Sequence, residues 1–219
     1  MVEPLVIVGA GGFGRETLDV VEAINAASQR PMWTLLGVVD DSPSEVNLNR
    51  LKVREVPLLG GVDAVPSDAW VAIAIGAPQT RARLAAELAG RCAGFATLVH
   101  PTAVVGSVNR IGEGTIVCAQ ASIGTNVVLG RHVHLNPHAV IGHDACLDDC
   151  VSVNPNATIS GECVVQAEVL IGAGATVLQG LHLASGTVVG AAACVVRDVT
   201  DPGVIVGVPA QPTRNGRVS

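Results

Sequence analysis

Two stretches of this chain carry residue types that can do chemistry. The first is Asn136-Pro137-His138-Ala139-Val140-Ile141-Gly142-His143-Asp144. Histidine is the side chain suited to take a proton near neutral pH. An acidic neighbour, such as Asp144 beside His143, can orient an imidazole and stabilise its protonated form. The second stretch is Gly9-Ala10-Gly11-Gly12-Phe13-Gly14, which fits GxGxxG at Gly9, Gly11 and Gly14. Such a loop offers backbone N–H groups and a helix N-terminus to a phosphate, and its glycines permit close approach. With no ligand the same pattern is a tight strand-to-helix turn.

The element that must position the first stretch is a repeat. From Val99 to Val195 every sixth residue, seventeen in all, is Val, Ile or Leu. Neither the strand period of 2 nor the helix period of 3.6 demands a strict six, so the pattern indicates a parallel β-helix. Each hexad is a short strand plus a turn, and three hexads make a triangular coil of eighteen residues. The repeated aliphatic is expected to point into the prism and stack on the residue eighteen later. The position two before it is also inward and is small or slim, as at Ala103, Thr115, Ala121, Ala139, Ala157 and Ala175. The position one after it is often Gly, as at Gly112, Gly130 and Gly172, where tight or left-handed backbone is expected.

The glycine loop needs a different scaffold. Leu5 to Val8 reads as a strand, and Arg15 to Ala27 as a helix with Leu18, Val21 and Ile24 on one side. Leu35 to Val39 is a second strand ending in Asp40-Asp41, where an acidic residue can hold a ribose hydroxyl. Trp70 to Ile75 is another strand, closed by Gly76. Residues 80–91 read as a helix with Leu84 and Leu88 inward and Arg81, Arg83 and Arg91 outward on a solvated face. The expected division is a small parallel α/β domain over 1–95, then a hexapeptide β-helix with a C-terminal tail over 96–219. After Val195 the pattern breaks, residues 203–210 form one last strand and turn, and the tail from Gln211 is expected to be loose.

Composition narrows the classes. Half the chain is hydrophobic yet only 2% is aromatic, as suits a narrow prism with no room for rings. No apolar run reaches the ~18 residues of a membrane span, and Met1 to Ala10 lacks the basic start and cleavage site of a signal peptide. A net charge of −6 without runs of Lys or Arg argues against nucleic acid as the main partner. Six cysteines show no CxxC pair and read as reduced, mostly buried side chains of a cytoplasmic protein.

Taken together, the front loop, Val39-Asp40-Asp41, Ile75-Gly76, Leu98-Val99-His100-Pro101, the hexads and Gly207-Val208-Pro209-Ala210 cover almost the whole chain. In these it resembles the bacterial sugar acyltransferases of the sialic-acid O-acetyltransferase type, which include N-acetyltransferases acting on nucleotide-linked amino sugars. The resemblance implies a left-handed β-helix, a homotrimer, acetyl-CoA bound between neighbouring β-helices as cosubstrate without a metal, and a nucleotide-sugar held partly by the N-terminal domain. It implies that His143 is the general base, that Asp144 orients it and that Asn136 lies near the substrate. The Gly161 amide matches the contact to the acyl carbonyl, and Gly172, Ala173, Gly190 and Ala191 match positions along which CoA runs. Gly9, Gly11, Gly12, Phe13, Gly14, Asp40, Asp41 and Gly76 fall to the nucleotide-sugar.

Two positions depart from relatives: Ser152 stands where several carry a second histidine about nine residues after the base, and Phe13 where some carry histidine. Other readings remain. The acceptor could be a sugar hydroxyl, as in sialic-acid O-acetylation. The five-residue spacing of His138 and His143 is also that of the γ-class carbonic anhydrases, but zinc needs a third ligand and position 102 is Thr102. A non-enzymatic trimeric scaffold or sugar-nucleotide sensor would need neither motif. An NAD oxidoreductase read from the glycine loop alone would leave the hexads unexplained. Of the other histidines, His132, His134 and His182 are expected at the surface or an interface.

Overall fold

The computed structural model describes residues 2–213. Five strands, β1 (Glu3–Val8), β2 (Trp33–Val39), β3 (Leu58–Gly60), β4 (Trp70–Ile73) and β5 (Gly94–Phe95), pair in parallel in the order β3-β2-β1-β4-β5. Helices α1 (Gly12–Ala27), α2 (Glu45–Val53) and α3 (Pro78–Leu88) connect them. Both faces of β1 are buried, so its residues Leu5 to Val8 are a continuous apolar run rather than an alternating one. The glycine loop leaves β1 at its C-terminal end, beside the carboxyl ends of β2 and β4. That is where open α/β sheets present ligand sites. The short β3, α2 and β5 carry too little periodic signal to be read from the sequence.

From Leu98 the hexads form three parallel sheets, one per face of a left-handed prism. Face one starts at Leu98–Val99, face two at Val104–Val105 and face three at Arg110–Ile111. Strands eighteen residues apart pair in register, Ile123 with Ile141 and Ile141 with Ile159. From Val117 to Val195 every repeated aliphatic is buried, and Ala, Val, Cys, Thr and, once, Leu181 fill the slot two before it. The first three differ: Val99 and Ile111 are half-buried and Val105 is exposed, because no coil lies beneath the first one.

The glycines after the aliphatics serve another purpose than the one expected. Gly112, Gly130 and Gly172 are not in the left-handed region. A Cβ on Gly112 would stand 2.4 Å from the Gly130 carbonyl oxygen, and one on Gly172 would stand 2.6 Å from the Ala191 nitrogen. They are small because successive coils touch there. The left-handed residue comes two positions later, at Asn126, His132, His138, Asp144 and Asn156 among others. Asn and Asp tolerate that conformation better than most residues.

The end of the chain is held further than expected. Val204–Val206 continues face one by pairing with Val188–Val189, and Gln211–Pro212 folds back antiparallel on it. The rest of the tail expected to be loose, residues 214–219, lies outside the described residues.

The two halves meet through a buried cation. Arg81 on α3, expected outward, is fully buried. Its guanidinium donates to the carbonyls of Ile75, Gly76, His132 and Cys150 and to Ser152 Oγ, and Ser152 Oγ donates to the Gly76 carbonyl. The planar fork of arginine can serve several acceptors at once, which offsets its desolvation. Burial pushes its pKa down to about 10, so it remains a cation at neutral pH. Around it Phe13 lies 4.6 Å from the His134 ring and Phe95 stands edge-on to His132 at 4.6 Å. Leu98, Ile116 and Cys118, outward on face one, complete an apolar cluster with β1 and α1. His132 and His134 are thus interface residues, as expected, while His182 is exposed.

Arg81→Ala should lower stability by about 3 kcal/mol, since several buried acceptors would lose their donor at ~1–3 kcal/mol each before relaxation. Arg81→Lys should recover only part of this, because an ammonium cannot reproduce the fork. Urea midpoints of the three proteins check it. Burial, then the nearby Arg131 and Arg81 cations, pushes His132 down to about 4. The unfolded chain therefore binds more protons than the folded one between about pH 6.5 and pH 4. Stability should fall as pH drops through that window, and His132→Phe should flatten the slope.

Candidate active site

The geometry of the motif follows from the coil. His143 is two residues past Ile141 on face two and starts the turn into face three. One coil earlier the same place holds Thr125 and one coil later Gly161. The backbone is tied on both sides: Asp144 N donates to the Thr125 carbonyl at 3.0 Å, and Glu162 N donates to the His143 carbonyl at 2.8 Å. Asp144 takes the left-handed turn position at φ 59°. That bend brings its Oδ2 to 2.7 Å from His143 Nδ1. Its other oxygen, Oδ1, accepts from Asn126 Nδ2 at 2.6 Å. These two bonds, Asn126 first, hold the Asp144 carboxyl below its usual range.

A carboxylate only accepts, so the proton of a neutral His143 sits on Nδ1 and Nε2 keeps its lone pair. The ring lies over Gly161, where a Cβ would stand 2.7 Å from both Cε1 and Nε2. Only glycine leaves room for the imidazole there. Pair and ring are exposed to solvent, as a site for an incoming molecule requires.

The other expected residues lie elsewhere. Asn136, Gly172, Ala173, Gly190 and Ala191 follow strands of face one and occupy the turn into face two, a different corner of the prism. Asn136 is nearly buried, with Nδ2 donating to the Val153 carbonyl at 3.1 Å. His138 shares that corner, so the His138–His143 spacing does not bring the two together on one edge. Among the described residues no group of three or more His, Cys, Asp or Glu side chains converges as a metal site. All six cysteines are free thiols. Within one chain the structure therefore unites His143, Asp144 and Gly161, and keeps Asn136 and the later glycines on the neighbouring edge.

In the N-terminal domain Gly9, Gly11, Gly12, Phe13, Gly14, Asp40, Asp41 and Gly76 gather at the carboxyl end of the sheet. Asp40 Oδ2 accepts from Ala10 N at 2.8 Å and its Oδ1 from Ser42 N at 2.9 Å, so this carboxylate braces the glycine loop. Asp41 Oδ1 likewise accepts from Val62 N at 2.8 Å. The glycines divide by role. A Cβ on Gly14 would stand 1.9 Å from the Gly9 carbonyl oxygen, whereas Gly11, Gly12 and Gly76 face open space. Phe13 turns toward His134 of the β-helix, and Ser152 lies in the domain junction rather than near His143. Sequence reasoning missed Arg81 and Asn126. Asn126 lies eighteen residues before Asp144, a spacing that could have found it.

A parallel α/β domain fused to a left-handed hexapeptide β-helix, with a His–Asp pair on one exposed edge, defines the class: a two-domain hexapeptide-repeat protein. Residues 4–88 match the model of the PglD N-terminal domain family. The acetyltransferase domain of PglB from Neisseria gonorrhoeae FA1090 is similar at 28% identity and TM-score 0.82, covering 96% of this chain and 100% of that one. PerB from Caulobacter crescentus, whose structure holds CoA and GDP-perosamine, is similar at 28% identity and TM-score 0.82, with 97% and 98% covered. WeeI from Acinetobacter baumannii AYE is similar at 26% identity and TM-score 0.84, with 97% and 100% covered. A comparison with curated proteins gave no match. No helix among the described residues is long and apolar enough to cross a membrane.

Gly14→Ala should destabilise the protein by roughly 1–3 kcal/mol, the usual cost of forcing extra atoms into packed structure. Gly11→Ala should leave the melting temperature within about 1 °C, because its Cβ would enter open space. Calorimetric melting of the two variants separates the roles.

Proposed function

We propose that this protein transfers an acetyl group from acetyl-CoA to the amine of a nucleotide-linked amino sugar, directly and without an acyl-enzyme. The observation that carries the reading is the His143 ring, fixed through Nδ1 by Asp144 and laid against Gly161 with Nε2 unengaged. The acceptor nitrogen attacks the thioester carbon as Nε2 takes its proton. The carbonyl oxygen gains the negative charge, and the Gly161 N–H receives it. Collapse expels the CoA thiolate, which takes the proton back from the imidazolium. Asp144 stabilises that imidazolium and holds its tautomer. No step calls for a metal. PerB, with its bound CoA and GDP-perosamine, supports both the cosubstrate and the acceptor class.

In this reading the two prism edges meet only between copies. CoA runs along Gly172, Ala173, Gly190 and Ala191 of one chain toward His143 of the next, with Asn136 beside it, in a homotrimer. Val128 and Val140 remain 39% exposed on the outer faces, apolar surface that a neighbouring copy would cover. The backbone N–H groups of the glycine loop, braced by Asp40, hold the nucleotide diphosphate. The free thiols fit work in the cytoplasm.

Acetyl-CoA with a panel of UDP-, dTDP-, GDP- and CMP-linked amino sugars, GDP-perosamine included, should release thiol with at least one member. His143→Ala should cut kcat by about 10²- to 10⁴-fold, the usual worth of a general base, with acetyl-CoA affinity within a few-fold. Asp144→Ala should cost less. With an amine acceptor, part of the His143→Ala loss should return at high pH, where more amine is neutral. An unchanged kcat in His143→Ala, or a monomer in light scattering at micromolar concentration, would count against the reading.

A further inference from the structure

The catalytic edge of the prism carries a third polar residue that neither the motif nor the glycine loop contains. Asn126 sits one coil before Asp144 and, like it, in the left-handed turn position, with φ of 59° at each. The coils lock both backbones: Asn126 N donates to the Ser107 carbonyl at 2.9 Å and Asp144 N to the Thr125 carbonyl at 3.0 Å. From there the Asn126 amide donates to Asp144 Oδ1 at 2.6 Å, while Oδ2 faces His143 Nδ1 at 2.7 Å. Each carboxylate oxygen thus has one dedicated partner, on opposite sides.

We infer that Asn126 is a positioning residue that sets the rotation of the Asp144 carboxylate and, through it, the tautomer of His143. This rests on the reading of His143 as the general base. The terminal torsion of an aspartate is broad and roughly two-fold, so an exposed carboxylate bonded on one side only is free to turn. Asp144 is exposed and borders solvent, which competes for its lone pairs. A neutral amide donor suits the task better than a cation would. It bonds the carboxylate without neutralising it, so the full charge remains for the imidazolium that forms as the acceptor loses its proton. Without Asn126 the Nδ1–H tautomer loses its fixed partner, and Nε2 is no longer held as the lone-pair nitrogen over Gly161.

The direct test is the ring of His143. Its nitrogen-15 shifts, assigned by their loss in His143→Gln, report which nitrogen carries hydrogen in the whole protein without substrate. The wild type should show the Nδ1–H form, and Asn126→Ala should move toward the mixture of a solvated imidazole. With acetyl-CoA and the amino sugar that the panel identifies, Asn126→Ala should lower kcat about tenfold. That is less than the ~10²-fold that a 1 Å misplacement costs. The KM for acetyl-CoA should stay within two-fold. In an Asp144→Ala background the same change should cost nothing further, which a general structural role would not produce.

Asn126→Asp adds a pH signature. Two carboxylates at that distance share a proton, and one of them titrates high. The ratio of variant to wild-type kcat should therefore fall as pH rises through the carboxylate range and level off once both are ionised, whereas a structural defect gives a flat ratio. An unchanged tautomer in Asn126→Ala, or an undiminished loss in the Asp144→Ala background, overturns the inference. An active His143→Ala would overturn the base assignment instead and leave the tautomer result standing on its own.

Discussion

The structure depends on one constraint, the stacking of residues eighteen apart. Each coil closes after three hexads, so every side chain meets its counterpart one coil up and one coil down. Inside, this stacks Val, Leu and Ile into a column from Val117 to Val195 that excludes water, each buried side chain contributing about 1.5–3 kcal/mol. Outside, the same register turns sequence neighbours into spatial strangers and distant residues into partners. Thr125, His143 and Gly161 form one ladder, and Asn126 meets Asp144 because it precedes it by one full coil. The register also decides where glycine is obligatory: at Gly112 and Gly172 a methyl would run into the backbone of the next coil.

A prism of this kind presents three similar faces, and something must distinguish them. Here it is the N-terminal domain, which covers face one from Leu98 to Ser152 and leaves the other two free. Apolar contact by Leu98, Ile116 and Cys118 supplies much of the adhesion, but it is not directional. Arg81 supplies the direction. Its fork reaches carbonyls on both sides of the junction, so one orientation satisfies them all. Two neutral histidines and two phenylalanines pack round it. The glycine loop therefore reaches the β-helix through Phe13 and His134, while its own shape is kept by Asp40 and by the contact of Gly14 with the Gly9 carbonyl.

The site is economical because the fold supplies most of the geometry. A turn residue with positive φ points back along the edge, which is why Asp144 can reach the ring of its own neighbour, His143. A glycine one coil later makes room for that ring. Gly172, Ala173, Gly190 and Ala191 sit on another edge of the same prism, so this chain alone does not bring them to His143.

Much of this was legible without coordinates, and the reason is periodicity. A strict period of six can be read by counting, and it specifies strand, turn, inward face and the partner eighteen residues away. The strand–glycine loop–helix at the front was equally plain, because Gly9, Gly11 and Gly14 sit between two apolar patterns of different period. What periodicity does not carry is the environment of the outward positions. Arg81 reads as the solvated side of a helix, and only the placement of α3 against face one makes it buried. Ser152 and His134 occupy outward slots and His132 a turn slot, and burial comes to them from the N-terminal domain. Glycine 112 reads as a conformational residue and proves to be a steric one, because a local pattern reports backbone preference and not the distance to the next coil. Composition and spacing determined which atoms could meet along the prism. The packing of one domain on another decided which of them are out of water, since burial depends on neighbours far away in the chain.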